Sequence, residues 1–389
     1  MNDVRVRVAS IGVLSAHGAG LPALASGMAA GICPLTAATG IGFPLDPAPL
    51  VSRFPQSLFQ RGEAGAVQEL MQAVDQAFAA WDGQHGALAA EDCALIVGSG
   101  GFLYASTAEL YGRTVGYLPN DTAFKVRGPH WGAALIAERL ELRGPLLTVS
   151  SGCSSSANAL LIGVEMLQRG EIRHAIVVGA EGLSAVTLGG FDSLMLLDAA
   201  GCRPFDRDRT GVQIGEAVAV LVLSAEPGVH AERPRATLRG GANLCDTHHL
   251  TAASPDGGVM RNVMYEALDK ARITPRDVVA IKAHGTGSID SDRAEAAALC
   301  QLFGAALPPV LAFKRYLGHT LGACGSLETA ALIACLQAGI VPAAAGFNTI
   351  DPELAIEPLR ATRAARAGHY LLNFFGFGGN YTSLVLEWH

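Results

Sequence analysis

The chain has 389 residues, half of them apolar and 16% charged, and carries a formal net charge of −7. That length accommodates two sub-domains around large cores, and the acidic balance offers no basic field for nucleic acid. The apolar run 217–223 is too short to span a bilayer, and the longer stretch 330–346 is interrupted by Gln337, Gly339 and Pro342, so no membrane span is expected.

Taken in chain order, Met1 to Arg7 lacks an apolar signal core. Strands are expected over 4–14, 93–97, 146–149, 175–179 and 218–223 in a first half, and over 278–283, 310–313, 370–374 and 383–387 in a second. The Pro-rich segment 42–49 is a loop. Two prolines in the polar segment 224–234 mark a seam, dividing the chain into halves 1–230 and 231–389. Each half contains a small-residue turn that opens an apolar helix closing on Gly. One runs to Leu167-Gln168-Arg169-Gly170, the other to Leu336-Gln337-Ala338-Gly339. Both helices are apolar nearly all round, which places them between layers. The eight cysteines show no paired or C-x-x-C spacing and read as reduced thiols of a cytoplasmic protein without a metal site.

Cys153 lies in the first of these turns, between the strand 146–149 and the helix. A thiol there meets the free N–H groups and macrodipole of a helix N-terminus, which stabilise a thiolate. The competing reading is a packed structural cysteine, since free Cys behaves as a small hydrophobe. Two histidine motifs favour the nucleophile: Ala283-His284-Gly285-Thr286-Gly287-Ser288 and Gly318-His319-Thr320-Leu321-Gly322-Ala323. Each follows an apolar run, so each His sits just past a strand's C-terminal end, where open α/β sheets bind ligands.

These residues give the chain its resemblance to the β-ketoacyl-[acyl carrier protein] synthases, condensing enzymes of the thiolase-like superfamily. Cys153 matches the family's nucleophile, His284 the H-G-T-G histidine, and His319 the histidine of K-x-x-x-G-H-x-x-G-A, beginning at Lys314. Glu328 matches the acid paired with that lysine. Arg203 to Gly211, Gly215-Glu216 and Phe374-Phe375-Gly376-Phe377-Gly378-Gly379-Asn380 match further family blocks. The matches are dense from about residue 144 onward and thin before it.

The resemblance implies an α/β thiolase-like fold of duplicated halves in five layers, α-β-α-β-α, with buried central helices. It implies a decarboxylative Claisen condensation of an acyl group held on Cys153 with a malonyl extender, as in fatty-acid and polyketide synthesis. His284 and His319 would donate to the enolate, and the backbone N–H groups of Cys153 and Phe377 would form the oxyanion hole. Thr286, Ser288, Phe375 and His249 would contact the substrate, and the loop from Asp246 to Thr251 would move with the Phe375 gate. No cofactor is expected on the protein; substrates would ride on the phosphopantetheine of an acyl carrier protein. The partners implied are that carrier and a second subunit, in a homodimer or a heterodimer with a related ketosynthase-like chain. Arg203, Arg207 and Arg209, or Lys125 and Arg127, are candidate docking cations.

Two departures bear on subtype. Gly152 precedes the nucleophile where the family has Ala, and the region before residue 144 is short, as in synthases of bacterial polyene-pigment clusters. The alternatives are a non-catalytic chain-length factor, which would lack the nucleophile, and an acyltransferase of the same fold.

Overall fold

The protein is described by a computed structural model covering residues 4–39, 41, 48–55, 63–85, 88–101, 130–226 and 236–389. The seam falls largely on 227–235 and the Pro-rich loop on 42–47, so both lie mostly outside these residues, as do Lys125 and Arg127. The first half contributes β1 (Val6–Ser15), α1 (Leu21–Ala29), α2 (Glu63–His85), β2 (Cys93–Gly98), α3 (Trp131–Arg139), β3 (Leu146–Val149), α4 (Ser155–Gln168), β4 (His174–Glu181), α5 (Ala185–Ser193) and β5 (Ala217–Ser224). The second contributes β6 (Ala236–Cys245), α6 (Gly258–Lys270), β7 (Val278–Lys282), α7 (Ile289–Phe303), β8 (Val310–Leu311), α8 (Lys314–Leu317), α9 (Cys324–Gln337), β9 (Gly368–Phe375) and β10 (Asn380–Trp388).

These strands form one continuous sheet in the order β8-β7-β9-β10-β6-β1-β5-β4-β2-β3. The two halves join where β1 meets β6 over only two register pairs, Val6 with Leu238 and Arg7 with Thr237. Outward from that join the halves are copies. In each, two antiparallel pairings are followed by two parallel ones: β1/β5, β5/β4, β4/β2 and β2/β3 against β6/β10, β10/β9, β9/β7 and β7/β8. The duplication inferred from two matching helices therefore extends to the whole strand order.

Side-chain alternation separates the layers, because successive strand residues face opposite sides of a sheet. In β5, Ala217, Ala219, Leu221 and Leu223 join the central core while Val218, Val220 and Val222 join an outer core with α2. In β9, Tyr370, Leu372 and Phe374 face the same central core, while Leu371 and Phe375 face α6 and α7. Helices α4 and α9 fill the centre. Every residue of α9 from Cys324 to Leu336 is buried. The result is the five-layer arrangement: outer helices, sheet, central helices, sheet, outer helices.

β6 was not anticipated from the sequence. Arg239, Gly240 and Gly241 interrupt its apolar alternation, and Gly240 (φ 128°) sits at a register shift opposite Val385 and Leu386. Such bulges hide strands from periodicity. No helix among the described residues is long and apolar enough to cross a membrane.

Candidate active site

Two turns of the same construction bring the site together. Each is a three-residue 3-10 turn that runs directly into a central helix: Gly152–Ser154 into α4, and Leu321–Ala323 into α9. The first residue of each takes a left-handed backbone, Gly152 at φ 65° and Leu321 at φ 44°. That conformation is disfavoured for residues with a Cβ, so the Gly at 152 matches the backbone it occupies.

The helix starts then cross at very short range. A Cβ on Gly325 would lie 2.0 Å from the backbone N of Ala157, and one on Gly179 within 3.0 Å of both Ser156 and Ser326. The Ser326 N–H donates to Ser156 Oγ at 3.0 Å. Only a glycine permits so close a crossing, and the crossing sets the two turns side by side.

Cys153 and His319 consequently touch: Cys153 Sγ lies 3.1 Å from His319 Nε2. The other ring nitrogen, Nδ1, lies 3.1 Å from Cys324 Sγ. His284 stands edge-on to His319, with ring centroids 5.4 Å apart. Its Nδ1 is buried without a hydrogen-bond partner among the described residues. The backbone N–H groups of Phe377 and of Cys153 itself both act to lower the Cys153 thiol. A cavity of about 190 Å³ opens over this centre, with Thr286, Ser288, His249, Phe375 and Met195 in its wall.

Burial pushes the Cys153 thiol up to about 11, against the lowering pull of the Phe377 N–H and of Lys314. The sequence led us to expect a pre-formed thiolate. Here the helix start is buried, and desolvation of the charged form outweighs the N–H donors. Burial first, then Lys314, holds both imidazoles well below the ordinary histidine range, with Lys282 adding to the effect. Both rings are therefore neutral near pH 7, as hydrogen-bond donation to an enolate requires.

Behind the histidines, Glu328 on α9 accepts from two lysines. Lys314 reaches Oε1, and Lys282 reaches Oε2 at 2.5 Å while also donating to Asn373 O at 2.6 Å. All three side chains are fully buried. Burial opposes the charge on Glu328, yet the two ammonium groups hold its carboxyl below the usual range. Burial pulls Lys282 down to about 8 despite Glu328. Burial also opposes charge on Lys314, but Glu328 keeps it above the ordinary lysine range. Lys282, at the end of β7, was missed from the sequence; its position two residues before His284 was the available signal.

The H-G-T-G loop is held from below by two buried carboxylates. Glu295 accepts the N–H groups of His284 and Gly285 at 2.8 and 2.9 Å, and Asp292 accepts those of Thr286 and Phe205 at 3.0 and 2.7 Å. The Thr286 and Ser288 hydroxyls lie 3.0 Å apart. Phe375 packs 6.0 Å from the His284 ring. The loop carrying His249 is tied to the Phe377 turn, the Gly378 N–H donating to Leu250 O at 2.7 Å. Asn380 Oδ1 accepts from Ser154, Asn158 and Asn243 at 2.6, 2.7 and 2.9 Å, anchoring the nucleophile turn to β10. Arg209 is withdrawn from the candidate docking cations: it is buried and paired with Asp351 at 2.6 Å. Arg207 is exposed and pairs with Asp208.

Comparison with known proteins agrees with this geometry. Family models described as Beta-ketoacyl synthase, N-terminal domain, and Beta-ketoacyl synthase, C-terminal domain, match residues 53–227 and 235–348. The chain belongs to the β-ketoacyl synthase family. It is 36% identical over 259 residues to the tetracenomycin polyketide synthase ketoacyl synthase alpha subunit of Streptomyces glaucescens, across 62% of this chain and 60% of that one. It is 30% identical over 270 residues to 3-oxoacyl-[acyl-carrier-protein] synthase 2 of Mycobacterium tuberculosis, across 66% and 64%. The matched stretch thus spans less than two thirds of either relative. Among solved structures, a ketosynthase from Xenorhabdus doucetiae, in complex with its chain length factor, superposes with a TM-score of 0.84. The identity is 27%, covering 99% of this chain and 98% of that one. The ishigamide ketosynthase/chain length factor shares the fold at a TM-score of 0.88, with 24% identity and all of both chains covered.

Proposed function

We propose that the protein is a β-ketoacyl-[acyl carrier protein] synthase, elongating a fatty-acid- or polyketide-like chain by decarboxylative condensation. The contact between Cys153 Sγ and His319 Nε2, at 3.1 Å inside a pocket shared with His284, carries this reading. In the first step the Cys153 sulfur attacks the carbonyl of an acyl thioester. The thiol proton leaves with the pantetheine sulfur, so the exchange is proton-neutral. In the second step a malonyl thioester loses CO₂. The electrons of the broken C–C bond become an enolate, whose oxygen accepts N–H bonds from His284 and His319. The enolate carbon then attacks the acyl-Cys153 carbonyl, and the tetrahedral oxyanion is held by the N–H groups of Cys153 and Phe377. One such donor is worth roughly 3–4 kcal/mol. Collapse breaks the C–S bond, and the released thiolate takes up one proton.

The lysine pair on Glu328 adds to burial in keeping both rings neutral. Thr286 and Ser288 offer hydroxyls to the phosphopantetheine arm, while Phe375 and the loop of His249 gate the pocket. The protein itself needs no bound cofactor. The presence of Cys153, His284 and His319 argues against a non-catalytic chain-length factor. The partners are an acyl carrier protein and a second ketosynthase-like subunit, either identical or related. β3 supports the latter: it is the edge of the sheet, and its Leu146 and Leu147 are exposed beside the nucleophile turn. The halves divide at residues 230 and 231. Eight unpaired cysteines suit a reducing cytoplasm.

Intact-mass measurement after mixing with a panel of acyl-loaded carrier proteins tests the reading. One acyl adduct on the wild type, none on Cys153→Ala, and a His319→Ala form that still takes up some acyl group but releases no CO₂ from malonyl-carrier protein are expected. Acyl loading that survives Cys153→Ala would overturn it.

A further inference from the structure

Among the described residues Cys324 is the one thiol besides Cys153 in contact with a side chain proposed to be catalytic, and nothing in the condensation uses it. It opens α9 and is fully buried. Its Sγ lies 3.1 Å from His319 Nδ1, so the imidazole is gripped between two thiols, one at each ring nitrogen. A neutral imidazole carries one proton, and the partner of one nitrogen decides where it sits.

We propose that Cys324 is a positioning residue: its S–H donates to His319 Nδ1 and holds the ring proton on Nε2, facing Cys153 and the pocket. Three observations converge on that direction. The Thr320 hydroxyl donates to the Cys324 sulfur at 3.6 Å, filling its acceptor side and leaving its own proton for the histidine. The backbone N–H groups of Phe377 and of Cys153 favour negative charge on the Cys153 sulfur. That sulfur is thus built to accept, and an Nε2–H completes the set where an Nε2 lone pair would compete. Burial pushes both flanking thiols up, Cys324 to about 12 and Cys153 to about 11, so near neutral pH Cys324 holds a proton to donate. One tautomer then serves both half-reactions: Nε2–H stabilises the developing Cys153 thiolate during transfer and the enolate oxygen during decarboxylation.

The equivalent position in the other turn shows what a helix-opening residue does without this task. Ser155 turns its hydroxyl on its own backbone, accepting from Ser151 N–H at 2.9 Å and donating to Gly152 O at 2.6 Å. The value of the tautomer rests on the enolate role proposed for His319, but the tautomer itself is measurable without turnover.

The test is nitrogen-15 NMR of histidine-labelled protein, with the His319 signals identified by their loss in His319→Gln. Wild type should show His319 with its proton on Nε2. Cys324→Ala should shift the ring toward the Nδ1–H form and slow malonyl-carrier-protein decarboxylation by about tenfold, the worth of one hydrogen bond. Acyl loading of Cys153 should fall less. Cys324→Ser, whose hydroxyl can donate, should restore both the tautomer and the rate. An unchanged Nε2–H tautomer in Cys324→Ala, or a serine variant that behaves like the alanine one, would overturn the proposal. If the tautomer moves as stated while the wild type never decarboxylates a malonyl thioester, the condensing function fails and the assignment of Cys324 stands.

Discussion

The turn that opens α4 and the turn that opens α9 share a backbone design and differ in what stands behind them. Both enter a 14-residue buried helix through a three-residue 3-10 turn with a left-handed first residue. Behind Cys153 the supports are neutral: three serines, Asn158 and Asn380, joined by hydroxyl and amide hydrogen bonds. Behind His319 they are ionic: Glu328 between Lys314 and Lys282. The turn that carries Cys153 needs a precise seat, and short polar side chains supply one. A histidine that must stay neutral in a dry site benefits from nearby positive charge. One duplicated element thus provides a seat in the first half and an electrostatic setting in the second.

The ionic side of the comparison gives the largest expected effect. Glu328→Gln would leave two buried ammonium groups without their counter-charge, and breaking a buried pair in this way costs about 3–5 kcal/mol. The urea midpoint should fall accordingly. A loss below about 1 kcal/mol would mean that the lysines find other partners and that the ionic setting is dispensable.

Next comes the crossing that both turns share. Gly325→Ala drives a methyl group into the Ala157 backbone, 2.0 Å away, and such overpacking costs about 1–3 kcal/mol. Acyl loading at Cys153 should drop with stability, because α4 and α9 must separate. Gly163→Ala is the control: its nearest neighbours are side-chain atoms at 3.3 Å and beyond, so the midpoint should hardly move. Equal effects at the two sites would show that the crossing carries no special constraint.

The smallest effect is electrostatic. Lys282, pulled down to about 8 by burial despite Glu328, is still cationic on the acid side of that value. Its charge is one of the causes holding His284 and His319 low. Lys282→Met removes that charge, so both histidine pKa values rise and the rings protonate at a higher pH. The acid limb of malonyl decarboxylation should therefore move upward in pH, with the rate near pH 8 changing little. An acid limb that stays in place would remove Lys282 from the electrostatic setting.

Much of the molecule was written in local pattern. Strands β4 and β5 are runs of small and β-branched residues, and α4 and α9 are apolar on every face; such segments declare themselves because one local property dominates each. Cys153, His284 and His319 stood out for the same reason, each in a glycine-rich turn after a strand. Their grouping within one pocket, the grip of Cys324 on Nδ1 and the second lysine on Glu328 depend on contacts across 166, 5 and 46 residues of chain. Even the five-residue contact is decided by ring orientation rather than by spacing.

Local chemistry alone also misjudged two groups. The sequence supplied the helix-start donors that favour a Cys153 thiolate, but only the packed structure supplied the desolvation that outweighs them. Arg209 read as a surface cation until its burial against Asp351 was seen. The sequence by itself determined the duplicated α/β halves, the three side chains that meet in the pocket and the family, because each is carried by a short contiguous motif. The charge states, the partners of each ring nitrogen and the shape of the site were decided by tertiary structure, because dielectric environment and hydrogen-bond direction exist only once distant segments have closed on one another.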